Sequence, residues 1–186
     1  MTRLAIMYLV VEALFGQATS ARRRYRNAEF RVDLRVPQEG FLCSSPKGEH
    51  NHGFFIVLGS ATAKDCPDYA HHRSVDLFAF YNALDETKHL PGLLKMGCDT
   101  TEGQCEPGPS GLGLPGLASA AGQVKHTDGW IDLVVVTQAG EPSPLDPGEP
   151  SINYIFGLHT RSEHLEEDLK VFRKILQTVK LAPARK

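Results

Sequence analysis

Segments in which apolar and polar residues alternate recur through the first half of the chain, and each predicts a half-buried strand. The clearest case begins at Phe30, where every second residue as far as Val36 is apolar and the residues between are charged; Pro37 ends it. A compact apolar run with glycines near both ends, Gly53–Ser60, predicts a fully buried strand. The remaining strands predicted in this half are Gly40–Ser44 and Ser74–Tyr81.

The second half of the chain contains a predicted β-hairpin followed by a further strand. Ala118–Lys125 and Trp130–Thr137 are apolar or alternating runs on either side of Asp128 and Gly129, and an Asp-Gly pair is a strong signal for a hairpin turn. Ile152–Leu158 predicts the later strand.

The C-terminal segment predicts the longest helix. Thr160 and Glu163 have the spacing of a capping box, and acidic residues at the start with basic residues toward the end suit the helix dipole. The apolar stripe recurs at spacings of four and three and comprises Leu165, Leu169, Phe172, Ile175 and Leu176. A short helix interrupted by a Pro-Gly pair is predicted at Glu86–Met96, and a final strand at Val179–Leu181.

Two segments rich in glycine and proline predict surface loops: Glu106–Gly116 and Ala139–Pro150. Loops on a rigid scaffold often carry binding residues, so we expect recognition there. Strands, a hairpin, another strand and then a long helix predict an α+β fold, an antiparallel sheet with the C-terminal helix packed on it.

The composition is typical of one globular domain, with 186 residues of which 41% are hydrophobic and 23% charged. The net charge is −2 and the pI about 6.4, which provides no field for gathering nucleic acid. A basic run at Arg22–Arg26 is predicted to be a solvated start to the mature chain.

Residues 1–21 have the layout of a secretory signal peptide. Arg3 is followed by the mostly apolar Leu4–Phe15 and by small and polar residues up to Ala21, near which we expect cleavage. The apolar stretch is shorter than the roughly 20 residues of a membrane span, so we expect no stable membrane insertion after cleavage. The mature domain is then residues 22–186, periplasmic or secreted. Glu12 and the arginine run leave an uncleaved anchor open as an alternative.

Four cysteines fit an oxidising compartment, and four allow three pairings. Cys98 and Cys105 flank a polar stretch rich in turn-forming residues, so a local bridge is predicted there, which leaves Cys43 with Cys66. A zinc site is the alternative, but neither pair has the Cys-x-x-Cys spacing.

Histidines supply the one metal-site hypothesis. His50 and His52 precede a predicted strand, and His71 and His72 follow Cys66, so a Cys43–Cys66 bridge would bring the two pairs near each other. At most three of the four could converge, which is the ligand count of a catalytic zinc. The alternative function is therefore a metal-dependent hydrolase; otherwise no cofactor is expected.

Other catalytic motifs are missing from the sequence. There is no Gly-x-Ser-x-Gly, and an even number of cysteines argues against a nucleophilic thiol. The carboxylates Glu166, Glu167 and Asp168 are predicted to be a solvated helix face, and Arg73 is predicted to pair with Asp76 or Asp65. These observations favour a protein that is not an enzyme.

Both ends of the mature chain resemble PsbP/Mog1-like domains. At the start, the resemblance rests on Tyr25, Asn27 and Phe30, a strand ending at Pro37, and Gly40. Asn153–Leu181 resembles the end of that group more closely: a strand ending in Thr, an acidic helix start, a Phe-x-x-Ile-Leu segment and a short closing strand. The resemblance implies an α/β/α sandwich around an antiparallel sheet.

Because that group includes binding and assembly factors, the resemblance implies a non-enzymatic binding or interaction protein. The partner, an unknown protein or small ligand, is not identified by any motif, and an assembly factor or an immunity-type protein would both fit.

Export is directly testable. We expect the protein purified from the envelope or medium to begin near Arg22, as measured by N-terminal sequencing or intact mass. A protein that retains Met1 and stays in the cytosolic fraction would contradict the signal-peptide prediction.

Overall fold

The computed structural model describes residues 23–38, 40–44, 52–59, 66, 71–98, 104–143 and 146–181. Ten strands and two α-helices lie within these ranges. In chain order they are β1 (Arg24–Asn27), β2 (Val32–Arg35), β3 (Gly40–Ser44), β4 (Gly53–Leu58), β5 (Ser74–Tyr81), α1 (Leu90–Cys98), β6 (Glu106–Pro107), β7 (Ser119–Lys125), β8 (Trp130–Ser143), β9 (Asp146–Arg161), α2 (Leu165–Thr178) and β10 (Lys180–Leu181).

Seven strands form the main sheet in the order β3-β4-β5-β9-β8-β7-β6, and every neighbouring pair is antiparallel. The central pair is the long hairpin of β8 and β9, whose register runs from Trp130 opposite Arg161 to Ser143 opposite Asp146. A smaller sheet in the order β1-β2-β10 brings the two ends of the domain together.

The two helices cover opposite faces of the main sheet. Alternate residues of a strand point to opposite faces; along β9, Phe156 and Leu158 belong to the core beneath α2, whereas Ile155 packs in the separate cluster beneath α1. The layers are therefore helix, sheet and helix. The predicted antiparallel α+β sandwich with a packed C-terminal helix is confirmed. No helix in the described ranges is long and apolar enough to cross a bilayer.

Two arginines of the basic run lie in the first strand, and Arg22 lies outside the described residues. Arg24 and Arg26 lie on the exposed side of β1, while Tyr25 and Asn27 between them are buried. Both arginines donate to Asp33 of β2, with a distance of 3.0 Å from Arg26 Nε to Asp33 Oδ2. The predicted exposure of these arginines is confirmed, but the stretch is also part of the sheet, because Arg24 and Arg26 occupy alternate positions of a strand.

Both predicted disulfides are present. Cys43 of β3 is bonded to Cys66, and Cys98 at the end of α1 is bonded to Cys105 before β6. The second bridge closes a short segment and anchors α1 to the edge of the sheet. Each bridge stabilises the fold largely by restricting the unfolded chain, typically by about 2–4 kcal/mol.

Three local predictions are wrong: a loop, the start of a helix and a helix cap. Ala139–Pro150 is not a loop, because β8 and β9 continue their pairing through most of it, with Pro142 opposite Pro150. The first helix starts four residues later than predicted, at Leu90, with Pro91 in its first turn, where a missing amide N–H is tolerated. The predicted capping box does not form at α2, which follows a 3₁₀ turn at Ser162–His164 and has no side-chain cap.

Thr160 makes a different bond, to a buried carboxylate. Its hydroxyl donates to Asp168, which is 2% exposed, and Arg73 Nη1 donates to both carboxylate oxygens of Asp168 at 3.0 and 3.2 Å. The prediction that Asp168 is solvated is wrong, and Arg73 pairs with Asp168 rather than Asp76; Asp65 lies outside the described residues. The ion pair joins the start of β5, the end of β9 and α2.

We expect Asp168→Ala to lower the free energy of unfolding by about 3–5 kcal/mol, because it leaves the largely buried Arg73 without its carboxylate. Urea denaturation measures this loss. The matched control is Glu167→Ala, one residue earlier and 74% exposed, which should change stability by no more than about 0.5 kcal/mol. Equal losses from both substitutions would mean that the ion pair does not stabilise the fold.

Candidate functional site

The structure does not bring the described histidines of the predicted metal site together. His52 precedes β4, and its Nδ1 lies 2.9 Å from the Ala79 carbonyl oxygen near the end of β5. His71 and His72 are exposed and precede Ser74, where β5 begins. Ala79 is five positions further along the strand than Ser74, a distance of about 17 Å. His50 lies outside the described residues. Among the described residues, no group of three His, Cys, Asp or Glu side chains could hold a metal ion.

His52 instead belongs to a chain of aromatic rings that wraps around the end of the main sheet. Successive ring centroids lie 5.3–5.5 Å apart, within the range of attractive aromatic contacts. We call this set the aromatic arc; in order its members are Phe80, Phe78, His52, Phe30 and Tyr81.

Two members of the aromatic arc are exposed, Phe78 at 44% and Tyr81 at 55%, and Leu84 just beyond β5 is 49% exposed. Phe30, which lies between His52 and Tyr81 in the arc, is fully buried, and its carbonyl oxygen accepts a hydrogen bond of 2.8 Å from the Tyr154 hydroxyl. Tyr81 is thus backed directly by a buried core residue, and Phe78 is connected to that residue through His52. An exposed apolar surface on a rigid support is typical of a docking site.

A second cluster of functional groups lies at the other end of the sheet, on the face that α1 covers only in part. Asp132 of β8 accepts hydrogen bonds from two rings, at 2.6 Å from His159 Nδ1 and 2.7 Å from His126 Nε2. The Trp130 ring stacks on His159 with centroids 4.1 Å apart, and the Arg161 guanidinium lies 4.4 Å from the Trp130 centroid. We call this the histidine–aspartate cluster.

Burial and hydrogen bonding act in opposite directions on Asp132. Burial alone would raise the pKa of its carboxyl, but the hydrogen bonds from His159 and His126 outweigh burial and hold the pKa below its ordinary value. Asp132 is therefore an ionised acceptor that fixes the orientation of both imidazoles.

Asp76 of β5 is the second carboxylate of this cluster. It lies opposite Gly157 of β9, where an added Cβ would come within 2.3 Å of Asp76 Oδ1, so the carboxylate occupies space that only glycine leaves open. Burial, and after it the negative charge of Asp132, raises the pKa of Asp76 to about 6, against a smaller opposing effect of His159.

The cluster contains an imidazole oriented by a carboxylate, as in a nucleophilic relay, but in the described structure no nucleophile is bonded to that imidazole. Asp132 orients His159 as a carboxylate orients a catalytic base, and Ser74 lies opposite His159 in the β5–β9 register. Ser74 Oγ and His159 Nε2 are buried without a hydrogen-bond partner in the described structure, so neither bonds the other. Ser74 is 0% exposed, which leaves its hydroxyl inaccessible to a substrate.

Sequence reasoning missed both groups. The signal for the histidine–aspartate cluster is Asp132 within the apolar run Ile131–Val136, a charged residue at a position that should be buried. Its partners His126 and His159 become visible only once the strand register is known.

The fold is shared with a solved structure. The solution structure of cyanobacterial PsbP (CyanoP) from Synechocystis sp. PCC 6803 matches with a TM-score of 0.51 at 13% sequence identity, covering 92% of this chain and 99% of that one. This confirms the PsbP-like fold that the two ends of the chain resemble. No family model and no curated protein matches the chain.

The raised pKa of Asp76 makes stability depend on pH. Ionising this carboxyl is harder in the folded than in the unfolded protein, so its destabilising effect is absent below about pH 4, grows as pH rises toward 6, and is complete above 6. We expect Asp76→Asn to raise the free energy of unfolding at pH 7.5 by at most about 3 kcal/mol, with no gain at pH 4.

Asp33→Asn is the control of opposite sign. The hydrogen bond from Arg24 holds the pKa of Asp33 below its ordinary value, so its stabilising effect is present at neutral pH and lost in acid. Chemical denaturation of the three proteins from about pH 2 to pH 7.5 measures both effects, because the Asp76 effect develops between about pH 4 and 6 and the Asp33 effect is lost below about pH 4. A gain from Asp76→Asn that is the same at every pH would contradict the assignment.

Proposed function

We propose that this chain is an exported, non-enzymatic interaction protein that docks a partner protein on the aromatic arc. The observation that carries the proposal is the exposure of Phe78 and Tyr81, which point to opposite faces of β5 and are joined around the end of the sheet through His52 and Phe30. Aromatic side chains are enriched at protein interfaces because they bury a large area with little loss of conformational freedom.

The residues around the aromatic arc favour a docking role for the exposed rings over exposure without a function. Leu84 adds a third apolar side chain, and Asn82 Nδ2 donates to the Pro150 carbonyl oxygen at 3.1 Å, tying the segment after β5 to the long hairpin. The arc thereby adjoins Ala139–Pro150, one of the two segments in which the sequence predicts recognition. A supported apolar surface requires little rearrangement on binding.

Two observations support the proposed export to the periplasm or exterior. Residues 1–21 have the pattern of a signal peptide. Both cysteine pairs form disulfides, Cys43–Cys66 and Cys98–Cys105, and such bonds persist in oxidising compartments. The hydrolase alternative has less support, because the described histidines do not converge and Ser74 is buried.

Site-specific photocrosslinking in the native host tests the docking surface. We expect p-benzoylphenylalanine incorporated at Tyr81 to yield a discrete protein adduct, because the ring would lie within the interface. The same probe at Glu166, on the exposed side of α2 at 91% exposure, is the control and should yield none.

A second arm separates docking from nonspecific capture. With the probe at Leu84, the added substitution Phe78→Ser should reduce adduct yield at least about fivefold while the protein stays folded, with a loss in the free energy of unfolding of about 1–3 kcal/mol for its two aromatic contacts. Adducts of equal yield at positions 81 and 166, or none at position 81, would contradict the proposal.

A further inference from the structure

A cleft with a volume of about 400 Å³ lies between a glycine-rich loop and the second half of α2. The loop side is formed by Gly111–Pro115, and the helix side by Arg173, Leu176 and Gln177. This loop belongs to Glu106–Gly116, the other segment in which the sequence predicts recognition. The volume is near the lower end of the range for small-molecule sites, roughly 300–1,000 Å³.

The base of the cleft is apolar and continuous with the core. Leu112, Leu114 and Leu176 are 9%, 5% and 1% exposed and pack in the large hydrophobic cluster beneath α2. A ligand in the cleft would therefore rest against hydrocarbon that does not move independently of the fold.

Hydrogen bonds hold the loop in place. The Leu114 amide donates to Ser119 Oγ at 3.2 Å, and the Leu117 amide donates to the Leu114 carbonyl oxygen at 3.2 Å. Gly111 and Gly116 have φ of 74° and 75°, the left-handed region that glycine adopts without strain. These contacts hold the loop in one conformation, which lowers the entropy lost on binding.

Arg173 provides an unused charge at the edge of this apolar base. Its Nη2 donates to the Ser110 carbonyl oxygen at 3.4 Å, a long contact with a neutral acceptor. In the described part of the chain no carboxylate pairs with Arg173, whereas Lys170, one turn earlier on the helix, pairs with Glu166 at 3.3 Å. Gln177, one turn after Arg173, adds a side-chain amide.

We propose that this cleft binds a carboxylate bearing a short apolar substituent, with Arg173 holding the carboxylate and the leucines contacting the substituent. The planar guanidinium matches a carboxylate in a two-point geometry, and such charged hydrogen bonds are about twice as strong as neutral ones. The site is separate from the aromatic arc, and neither proposal depends on the other.

The same chemistry can come from a free carboxylic acid or from the C-terminus of a peptide. N-acetyl-L-leucine represents the peptide end and octanoate the free acid. N-acetyl-L-leucinamide has the substituent of the first probe without its charge and is the matched control ligand.

Titration of the ¹⁵N-labelled mature protein with each probe, followed by NMR, tests the proposal. We expect saturable shifts of the Gly111, Gly113 and Gln177 amides with at least one acid, and binding of the leucinamide at least about tenfold weaker than that of its acid. The stronger acid identifies the source of the carboxylate.

Variants at adjacent helix positions complete the test. Arg173→Gln should weaken binding of the acid at least about tenfold, and Arg173→Lys less so because it retains the charge. Lys174→Gln is the control, since Lys174 is exposed and does not line the cleft. Equal affinity for the leucinamide and its acid, an equal effect of Arg173→Gln and Lys174→Gln, or no saturable shift with either acid would overturn the proposal.

Discussion

The pairing of β8 with β9 is the constraint on which the other layers depend. Its register assigns each residue of both strands to a face, so Leu133, Val135, Phe156 and Leu158 line the core beneath α2, while Val134, Val136 and Ile155 lie beneath α1. The two faces differ in how far they are covered. The nine residues of α1 span only about 14 Å, so the part of its face nearest Trp130 lies beyond the helix. The polar groups of the histidine–aspartate cluster occupy that part of the sheet.

The properties of that cluster follow from its position. Asp132 is buried but ionised, because two imidazoles donate to it; Asp76 lies close to it, lacks such donors, and so has a raised pKa. Burial disfavours the charged form of both carboxylates, and the packing of the surrounding fold offsets this cost. The arrangement has the orientation of a catalytic base without an accessible nucleophile, since Ser74 is wholly buried. Its consequence is a dependence of stability on pH.

The sequence predicts those parts of the fold whose signal is local. The apolar stripe of α2, the Asp128-Gly129 turn and the alternation in β2 depend on residues close in the chain, and all were found in place. In β1 the alternation is present in the sequence, but the adjacent arginines that precede Tyr25 obscure it. Asp33, which accepts hydrogen bonds from Arg24 and Arg26, lies on the next strand. Thr160 has the spacing of a helix cap, yet β9 continues through Arg161 and α2 begins only at Leu165, so Thr160 is not at the helix start and its hydroxyl donates to Asp168 instead. The aromatic arc and the histidine–aspartate cluster depend on strand register, which the local pattern does not specify.

Both proposed binding sites lie where the sandwich ends, and the packing explains why. The two helices cover most of both faces of the main sheet. The uncovered part carries the histidine–aspartate cluster, whose groups are hydrogen-bonded to one another. Recognition then falls to strand ends and loops, which the sheet holds in position. The arc is assembled from residues as distant in the chain as Phe30 and Tyr81, and the cleft from α2 and a loop whose leucines pack in the core, so the geometry of both depends on the whole fold. A loss of global stability should therefore disrupt both sites, while a change at Arg173 alters the cleft and leaves the arc intact.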